Sequence, residues 1–173
     1  LFTGRATRWE NNIVMTAGTS AAQTAFMCVL LAAFDMLSPA TQVIGVVAEG
    51  APSMRLSLAA GRPIETERAT TIADGIAVKR PGELTLPLIQ QFVDEVVEVT
   101  EEEIARGIFH CVQNNHLVVE GAGAAGVAAL LAKKIGVKST DTVCTVLCGG
   151  NIDANLLALV LQQVLVRQGR YII

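Results

Sequence analysis

Residues 142–153 of this chain, TVCTVLCGGNID, contain the pattern that decides the fold. The first five are rich in β-branched side chains and predict a buried parallel strand. Gly149 and Gly150 come at the carboxyl end of this strand, where glycines let the backbone turn sharply and approach a ligand closely. Ligands of open α/β sheets lie beyond the carboxyl ends of the strands. Cys148 and the two glycines are therefore the first candidates for a binding site.

The composition favours an α/β fold. Of the 173 residues, 51% are hydrophobic but only 4% are aromatic, so the core must be built from Ala, Val, Leu and Ile. Such a core is typical of layered helices and strands rather than of an aromatic-rich sandwich. The length suits a single domain. We expect a mostly parallel sheet flanked by helices.

Charge and hydropathy exclude several classes of partner. The net charge is −3 and there is no basic patch, so we expect no nucleic-acid partner. The longest apolar run, residues 25–34, is too short to span a bilayer, so we expect no membrane partner. The four cysteines have neither a Cys-x-x-Cys motif nor the spacing of a disulfide framework, which favours a reducing cytoplasm.

The periodicity of the rest of the chain predicts alternating strands and helices. Further strands are predicted at residues 12–16, 42–47 and 95–99, and a short candidate strand at residues 117–119. Helices are predicted after Ser20 to about Met36, and at residues 53–61, 84–93, 124–134 and 152–168. Thr100 and Glu103 form a capping box, which predicts another helix start.

Residues 121–126, GAGAAG, match the G-x-G-x-x-G dinucleotide pattern. That fingerprint also needs an acidic residue at the end of the next strand, to hold the ribose hydroxyl. The next strand here ends in Cys148 and two glycines. We therefore favour tight helix packing as the reason for these small residues.

Other candidates have two interpretations each. Glu120 either stabilises the start of a helix or belongs to a site. Residues 18–20, Gly18, Thr19 and Ser20, either cradle a phosphate or cap a helix. The two histidines have no metal-ligand partner at useful spacing, which favours a surface or core role.

From residue 43 to residue 173 the chain resembles the carboxyl-terminal part of the threonine ammonia-lyase (threonine dehydratase) family. The matching motifs are VIGV at 43–46, EGAPSM at 49–54, TIADG at 71–75, VVEGAGA at 118–124 and GGNID at 149–153. The resemblance implies part of the large domain of a fold-type II pyridoxal-phosphate enzyme. Within a single domain, residues 1–42 are then a divergent strand-helix segment, and residues 43–173 the carboxyl-terminal part of the dehydratase catalytic domain.

The resemblance also implies roles for individual residues. Cys148 corresponds to the Ser or Cys whose side chain lies against the pyridine nitrogen of the cofactor. Glu120 corresponds to a glutamate close to the ring, and Gly75 to a backbone contact near it. Gly149 and Gly150 let the chain pass close to the ring.

The glycine-rich phosphate loop of the family has no counterpart at residues 22–25, so either it is displaced to Gly18, Thr19 and Ser20 or the amino-terminal segment is rearranged.

Two departures from the family pattern concern charged residues. Glu49 corresponds to one carboxylate of a cation site in some relatives, but the second carboxylate falls at Arg55, so we expect no metal. The lysine that forms the imine with the cofactor lies in a Ser-Phe-Lys segment that this chain lacks. This lysine is both the anchor and the base for the α-proton.

The resemblance thus implies dehydration of L-threonine or L-serine to 2-oxobutanoate or pyruvate and ammonia, but not by these residues alone. The alternative is a non-catalytic domain that acts as an oligomerising or binding module. Half a domain should leave an apolar face exposed, so we expect a homo-oligomer.

Overall fold

Four parallel strands form the sheet at the centre of this computed structural model, which describes residues 11–16, Met36 and residues 40–170. The strand order is β3-β2-β1-β4. Every pair of neighbouring strands runs parallel, as the sequence predicts. The strands are β1 (Asn11–Thr16), β2 (Gln42–Ala48), β3 (Glu95–Val99) and β4 (Thr142–Thr145).

Helices cover both faces of the described sheet. The α-helices are α1 (Ser53–Ala60), α2 (Thr85–Phe92), α3 (Glu101–His110), α4 (Gly121–Leu131) and α5 (Ala154–Arg167). A single 3₁₀ turn spans Asp74–Ile76, and α3 continues into a π-helical turn at Cys111–Asn115. No helix in the described ranges has both the length and the hydropathy to cross a membrane.

The alternating side chains of β2 separate two apolar clusters. Val43 and Val47 pack with Met54 of α1 and with two residues of α2. Ile44 and Val46 point to the opposite face and join the larger core formed by α3, α4 and α5. Since successive side chains of a strand point to opposite faces, one apolar strand can serve both layers. This central strand fixes the sheet between its helices.

The prediction that β4 is buried is wrong. Along this strand, exposed and half-buried residues alternate, and Cys144 is exposed. Within the described residues, β4 is an edge strand that pairs with β1 alone. An apolar β-branched run therefore indicated a strand correctly but did not distinguish a central strand from an edge strand.

Among the described residues, two predictions near residue 120 need correction, one for a helix start and one for a strand. The capping box of α3 is present as expected. Helix α4, however, begins at Gly121 and ends at Leu131, not at residues 124 and 134. Residues 117–119 form no strand. The segment before α4 bonds instead to the loop after β4, since the Glu120 backbone N–H donates to the Gly149 carbonyl at 2.8 Å.

The other predicted elements agree with the structure to within one or two residues. This holds for β1, β2, β3, α1, α2 and α5. The predicted helix after Ser20 lies outside the described residues, apart from Met36, which is helical.

Candidate functional site

A pocket of about 540 Å³ lies where the loop after β4 meets the start of α4. It brings together residues that are far apart in the sequence. They include Asp74, Gly75, Glu120, Gly149, Asn151 and Asp153. The position agrees with the general rule that ligands bind beyond the carboxyl ends of parallel strands.

The Glu120 side chain lies between two glycines. A Cβ atom added to Gly149 would lie 2.5 Å from the Glu120 Oε1 atom, and one added to Gly75 would lie 3.1 Å from the same atom. Glu120 is the N-cap residue of α4, but its side chain makes no capping hydrogen bond. Glu120 therefore does not cap the helix through a side-chain hydrogen bond. Its carboxylate belongs to the pocket.

Cys148 directly precedes Gly149 and presents a free thiol. Although much of the residue is exposed, the protein around it desolvates the thiol and raises its pKa. The Glu120 carboxylate raises this pKa further, because a nearby negative charge disfavours the thiolate. The ordinary pKa of a cysteine is already above neutral. At neutral pH the Cys148 side chain is thus an uncharged thiol.

The G-x-G pattern at the start of α4 results from tight packing, as expected. A Cβ on Gly123 would overlap the carbonyl group of Cys148, and one on Gly121 would lie 2.7 Å from the Ile72 carbonyl oxygen. All of residues 121–126 are buried. These glycines bring the backbone of α4 against the two loops that line the pocket.

Sequence reasoning missed the other polar residues of the pocket. Asp74, Asn151 and Asp153 were not singled out, although each adjoins or closely follows a predicted glycine. Asp153 has a structural role, since its Oδ1 accepts from the backbone N–H of Asn155 at 2.8 Å and of Leu156 at 3.1 Å. An aspartate directly before an apolar helical run is the usual signal of such a cap. Among the described residues, the pocket lining contains three carboxylates and no basic side chain.

The remaining predicted residues lie elsewhere or outside the described ranges. Gly150 is next to the pocket, and a Cβ there would be 3.8 Å from the Val118 carbonyl oxygen. Gly18, Thr19 and Ser20 fall outside the described residues.

The two residues of the cation-site comparison are apart from the pocket lining. Glu49 is exposed at the end of β2, and the Arg55 Nε donates to Glu98 Oε1 at 2.6 Å. In residues 11–16, 36 and 40–170, no three His, Cys, Asp or Glu side chains form a group that could hold a metal ion.

A second pocket of about 520 Å³ lies between α3, α4 and α5. It is lined by Glu103, Arg106, His110 and Lys133, among others, and contains none of the predicted site residues. His110 contacts the Asn114 side chain at 3.0 Å, and His116 is exposed. Neither histidine reaches the pocket beside Glu120, in agreement with the surface or core role expected for them.

Comparison with known proteins identifies the class of this α/β fold. Threonine deaminase from T.th. superimposes with a TM-score of 0.73 and 31% identity, covering 82% of this chain and 49% of that one. Maize serine racemase superimposes with a TM-score of 0.74 and 25% identity, covering 92% of this chain and 48% of that one. The fold is that of the fold-type II pyridoxal-phosphate enzymes.

The sequence comparisons identify the family. The family model described as "Pyridoxal-phosphate dependent enzyme" matches residues 10–149, and this chain belongs to that family. The L-threonine ammonia-lyase of Thermotoga maritima is 47% identical over 138 residues, which are 80% of this chain and 34% of that protein. The catabolic L-threonine dehydratase of Escherichia coli K12 is 41% identical over 124 residues, 70% of this chain and 37% of that protein. The chain spans about a third of the length of these curated relatives.

The cofactor implied by the family is pyridoxal phosphate, and the residues present fit its ring. The pocket has the volume of a small-molecule site, and three of its lining residues, Gly75, Gly121 and Gly149, have no side chain. The neutral Cys148 thiol can pair with a pyridine nitrogen. The same residues do not provide a covalent anchor. None of the four lysines of the chain lines this pocket: Lys79, Lys133, Lys134 and Lys138.

Proposed function

We propose that this chain forms the wall of the cofactor site that faces the cofactor ring in a threonine ammonia-lyase. We call it the ring-side wall, and its residues are Gly75, Glu120, Cys148, Gly149 and Gly150. The overall reaction converts L-threonine to 2-oxobutanoate and ammonia, or L-serine to pyruvate and ammonia. The observation that supports this proposal best is the meeting of Gly149, Glu120 and Gly75 at the pocket beyond β4, with Cys148 directly before Gly149 in the chain. The names of the curated relatives support threonine as the substrate.

In this proposal the residues of the chain bind and orient the cofactor ring. Pyridoxal phosphate supplies an electron sink for the negative charge that develops at the substrate α-carbon. The Cys148 thiol would be the uncharged partner of the ring nitrogen and would so leave that nitrogen largely unprotonated. Gly149 and Gly150 keep the loop after β4 free of side chains on this side. The Glu120 carboxylate is the one charged group seated between Gly75 and Gly149.

We further propose that the anchoring lysine comes from polypeptide outside these 173 residues. The side chains of the described lysines support this, because Lys134 pairs with Glu103 at 3.2 Å and Lys133 lines the other pocket. Residues 43–173 then correspond to the carboxyl-terminal part of the catalytic domain, preceded by the divergent segment 1–42. The free thiols Cys111, Cys144 and Cys148 suit a reducing cytoplasm.

The second candidate function is a non-catalytic oligomerising or binding module. It is favoured by the absence of lysine from the described pocket and by exposed apolar side chains near the edge strand and on α5. These include Leu117, Val118, Val146, Leu159 and Val166, of which Leu159 is the most exposed at 63%. Such a surface supports a homo-oligomer as the state of the isolated chain. A clean monomer in sedimentation at high concentration would contradict this.

A cofactor titration separates the two functions. The purified chain is titrated with pyridoxal phosphate, followed by its visible absorbance, and then treated with borohydride. We expect saturable binding without stoichiometric trapping of any single lysine. Because surface lysines react non-specifically with this aldehyde, Lys133→Ala in the second pocket is the control and should not change the affinity. Absence of saturable binding would leave only the non-catalytic module.

Complementation tests the activity. A fragment of the Thermotoga maritima relative that excludes the region aligned with this chain is added, and ammonia release from threonine is measured. We expect turnover and a trapped lysine on the added fragment. A trapped lysine on this chain would contradict the proposal that the anchor is supplied from outside it.

A further inference from the structure

We infer that Gly149 and Gly75 are positioning residues, which seat the Glu120 carboxylate beside the Cys148 thiol by leaving open the space that side chains would fill. This inference rests on the proposed function, since it assigns these residues to the ring-side wall of the cofactor site. The sequence motif assigned Gly149 to close approach of the backbone to the cofactor ring. The inference instead assigns it the role of leaving space for the Glu120 side chain.

A side chain at position 149 would collide with Glu120. A Cβ on Gly149 would overlap the Glu120 Cδ atom and would lie 2.5 Å from Oε1 and 2.8 Å from Cγ. All three atoms belong to the outer part of the Glu120 side chain, so this side chain could not keep its position beside any larger residue. Gly149 also has φ +79°, a backbone conformation that L-residues rarely adopt. Both the space and the backbone therefore require glycine at this position.

The opposite side of the Glu120 carboxylate is also bounded by a glycine. A Cβ on Gly75 would lie 3.1 Å from Glu120 Oε1 and 2.8 Å from the Ala122 Cβ. Gly75 is in the 3₁₀ turn Asp74–Ile76, which packs against the start of α4. The main chain adds a third constraint, because the Glu120 N–H donates to the Gly149 carbonyl at 2.8 Å. The carboxylate is thus held from two sides and from its own backbone.

The Glu120 carboxylate contributes to the charge environment of the Cys148 thiol. Asp74 and Asp153 also line the pocket, but Glu120 is the carboxylate that acts on Cys148. The part of the pocket lining that the structure describes has no basic side chain to offset it. Displacing the Glu120 carboxylate should consequently make the thiolate easier to form.

The reactivity of the Cys148 thiol tests this without cofactor or turnover. The rate of iodoacetamide alkylation of Cys148 is measured against pH in the intact chain, and peptide mass spectrometry separates Cys148 from the other cysteines. Since the thiolate is the nucleophile, the rate follows the thiolate fraction. Glu120→Gln should speed the alkylation of Cys148 about threefold at neutral pH. Gly149→Ala and Gly75→Ala should each give a change in the same direction.

Two control variants separate the position of the carboxylate from general damage. Gly150→Ala changes the next residue, where a Cβ meets only an atom 3.8 Å away. Gly61→Ala imposes the cost of a positive φ at a site with open space, with φ +65°. Both should leave the pH profile of Cys148 unchanged. If Gly149→Ala does not fold, Gly75→Ala tests the same inference, because Gly75 has no positive φ.

The decisive result comes from combining the variants. In a Glu120→Gln background, Gly149→Ala and Gly75→Ala should produce no further acceleration, because the group that they displace has lost its charge. Equal acceleration in both backgrounds would overturn the inference, as would a wild-type pH profile in folded Gly149→Ala and Gly75→Ala. Failure of the cofactor titration alone would instead overturn the proposed function and leave this measurement unaffected.

Discussion

Helices α3 and α4 lie against each other, yet different physical causes fix their positions. α3 begins with a complete capping box, in which the Thr100 Oγ1 accepts from the Glu103 N–H at 3.2 Å and Glu103 Oε2 accepts from the Thr100 N–H at 2.8 Å. α4 begins with no side-chain cap, and eight of its eleven residues are buried. The start of α3 is specified by residues within four positions of one another. The start of α4 is specified by what it packs against.

The difference explains why the pocket lies at α4. A helix start that is held by packing leaves its N-cap side chain free, and Glu120 can therefore point to the loop after β4. Small residues are what permit this packing. On α3, a Cβ on Gly107 would lie 2.8 Å from the Ala124 carbonyl oxygen, so the two helix backbones approach closely. Variants of each helix can test whether the causes are as separate as this comparison implies.

The largest effect is expected for Gly123→Ala in α4. The added methyl overlaps the Cys148 carbonyl, so the loop after β4 or the helix must shift. We expect a loss of about 1–3 kcal/mol in the free energy of unfolding. Urea unfolding measures it. Gly136→Ala, with nothing within 4 Å of the added atom, is the control and should be close to neutral. Equal stability of the two variants would mean that α4 is not held by close packing.

A smaller loss is expected for Thr100→Ala, which removes the cap of α3. The Glu103 N–H loses its partner, at a cost of about 1 kcal/mol. Thr100→Ser keeps the hydroxyl and should recover most of the stability in the same urea experiment. The pH profile of Cys148 alkylation should not change, because the cap stabilises α3 and not the start of α4. A change in that profile would show that the two helix starts are coupled.

A gain in stability is expected for Lys133→Gly, just beyond the end of α4. Lys133 has φ +55°, in the left-handed region where a helix usually has glycine. Relief of this conformation should add about 0.5–1 kcal/mol to the free energy of unfolding. Lys133→Ala removes the charge but keeps the backbone cost, so it should add nothing. Stabilisation by both variants would assign the effect to the side chain rather than to the backbone.

The sequence predicts what depends on neighbouring residues. The capping box of α3 and the apolar strand β2 are both local patterns, and each is found where it was expected. The start of α4 was predicted three residues late, because glycines argue against a helix unless tertiary packing compensates for their flexibility. The positive φ of Lys133 and of His116 has no local signal either.

The candidate site shows the same division. Cys148, Gly149 and Gly75 were identified through quoted motifs, and the structure brings the two glycines to one pocket with Glu120. The motifs identified these residues but could not explain why residue 149 must be glycine. The explanation depends on a contact with the Glu120 side chain, 29 positions earlier in the sequence. Asp153 had a helix-cap signal that could have identified it. Contacts between distant segments can be known only once the chain is folded.

The smallest effect concerns Glu102 of α3, whose charge is paired both locally and over a long distance. It accepts from Arg106, four residues on, at 2.6 Å and also pairs with Arg167 of α5. The hydrogen bond from Arg167, with help from Arg106, lowers the pKa of Glu102 although desolvation opposes it. A lowered pKa in the folded state adds stability above the ordinary carboxyl range, and that stability is lost as the pH falls through the folded-state pKa.

Glu102→Gln should therefore reduce stability slightly at neutral pH and not at all in acid, where the wild-type carboxyl is protonated. Because the pair is exposed, salt should weaken the difference at neutral pH. Urea unfolding at both pH values and at two salt concentrations measures this. Arg106→Gln removes the local partner and Arg167→Gln the distant one. Since Arg167 is the larger cause of the shift, its loss should reproduce more of the Glu102→Gln effect. The opposite order would mean that α3 is stabilised by its local sequence even where the structure joins it to α5.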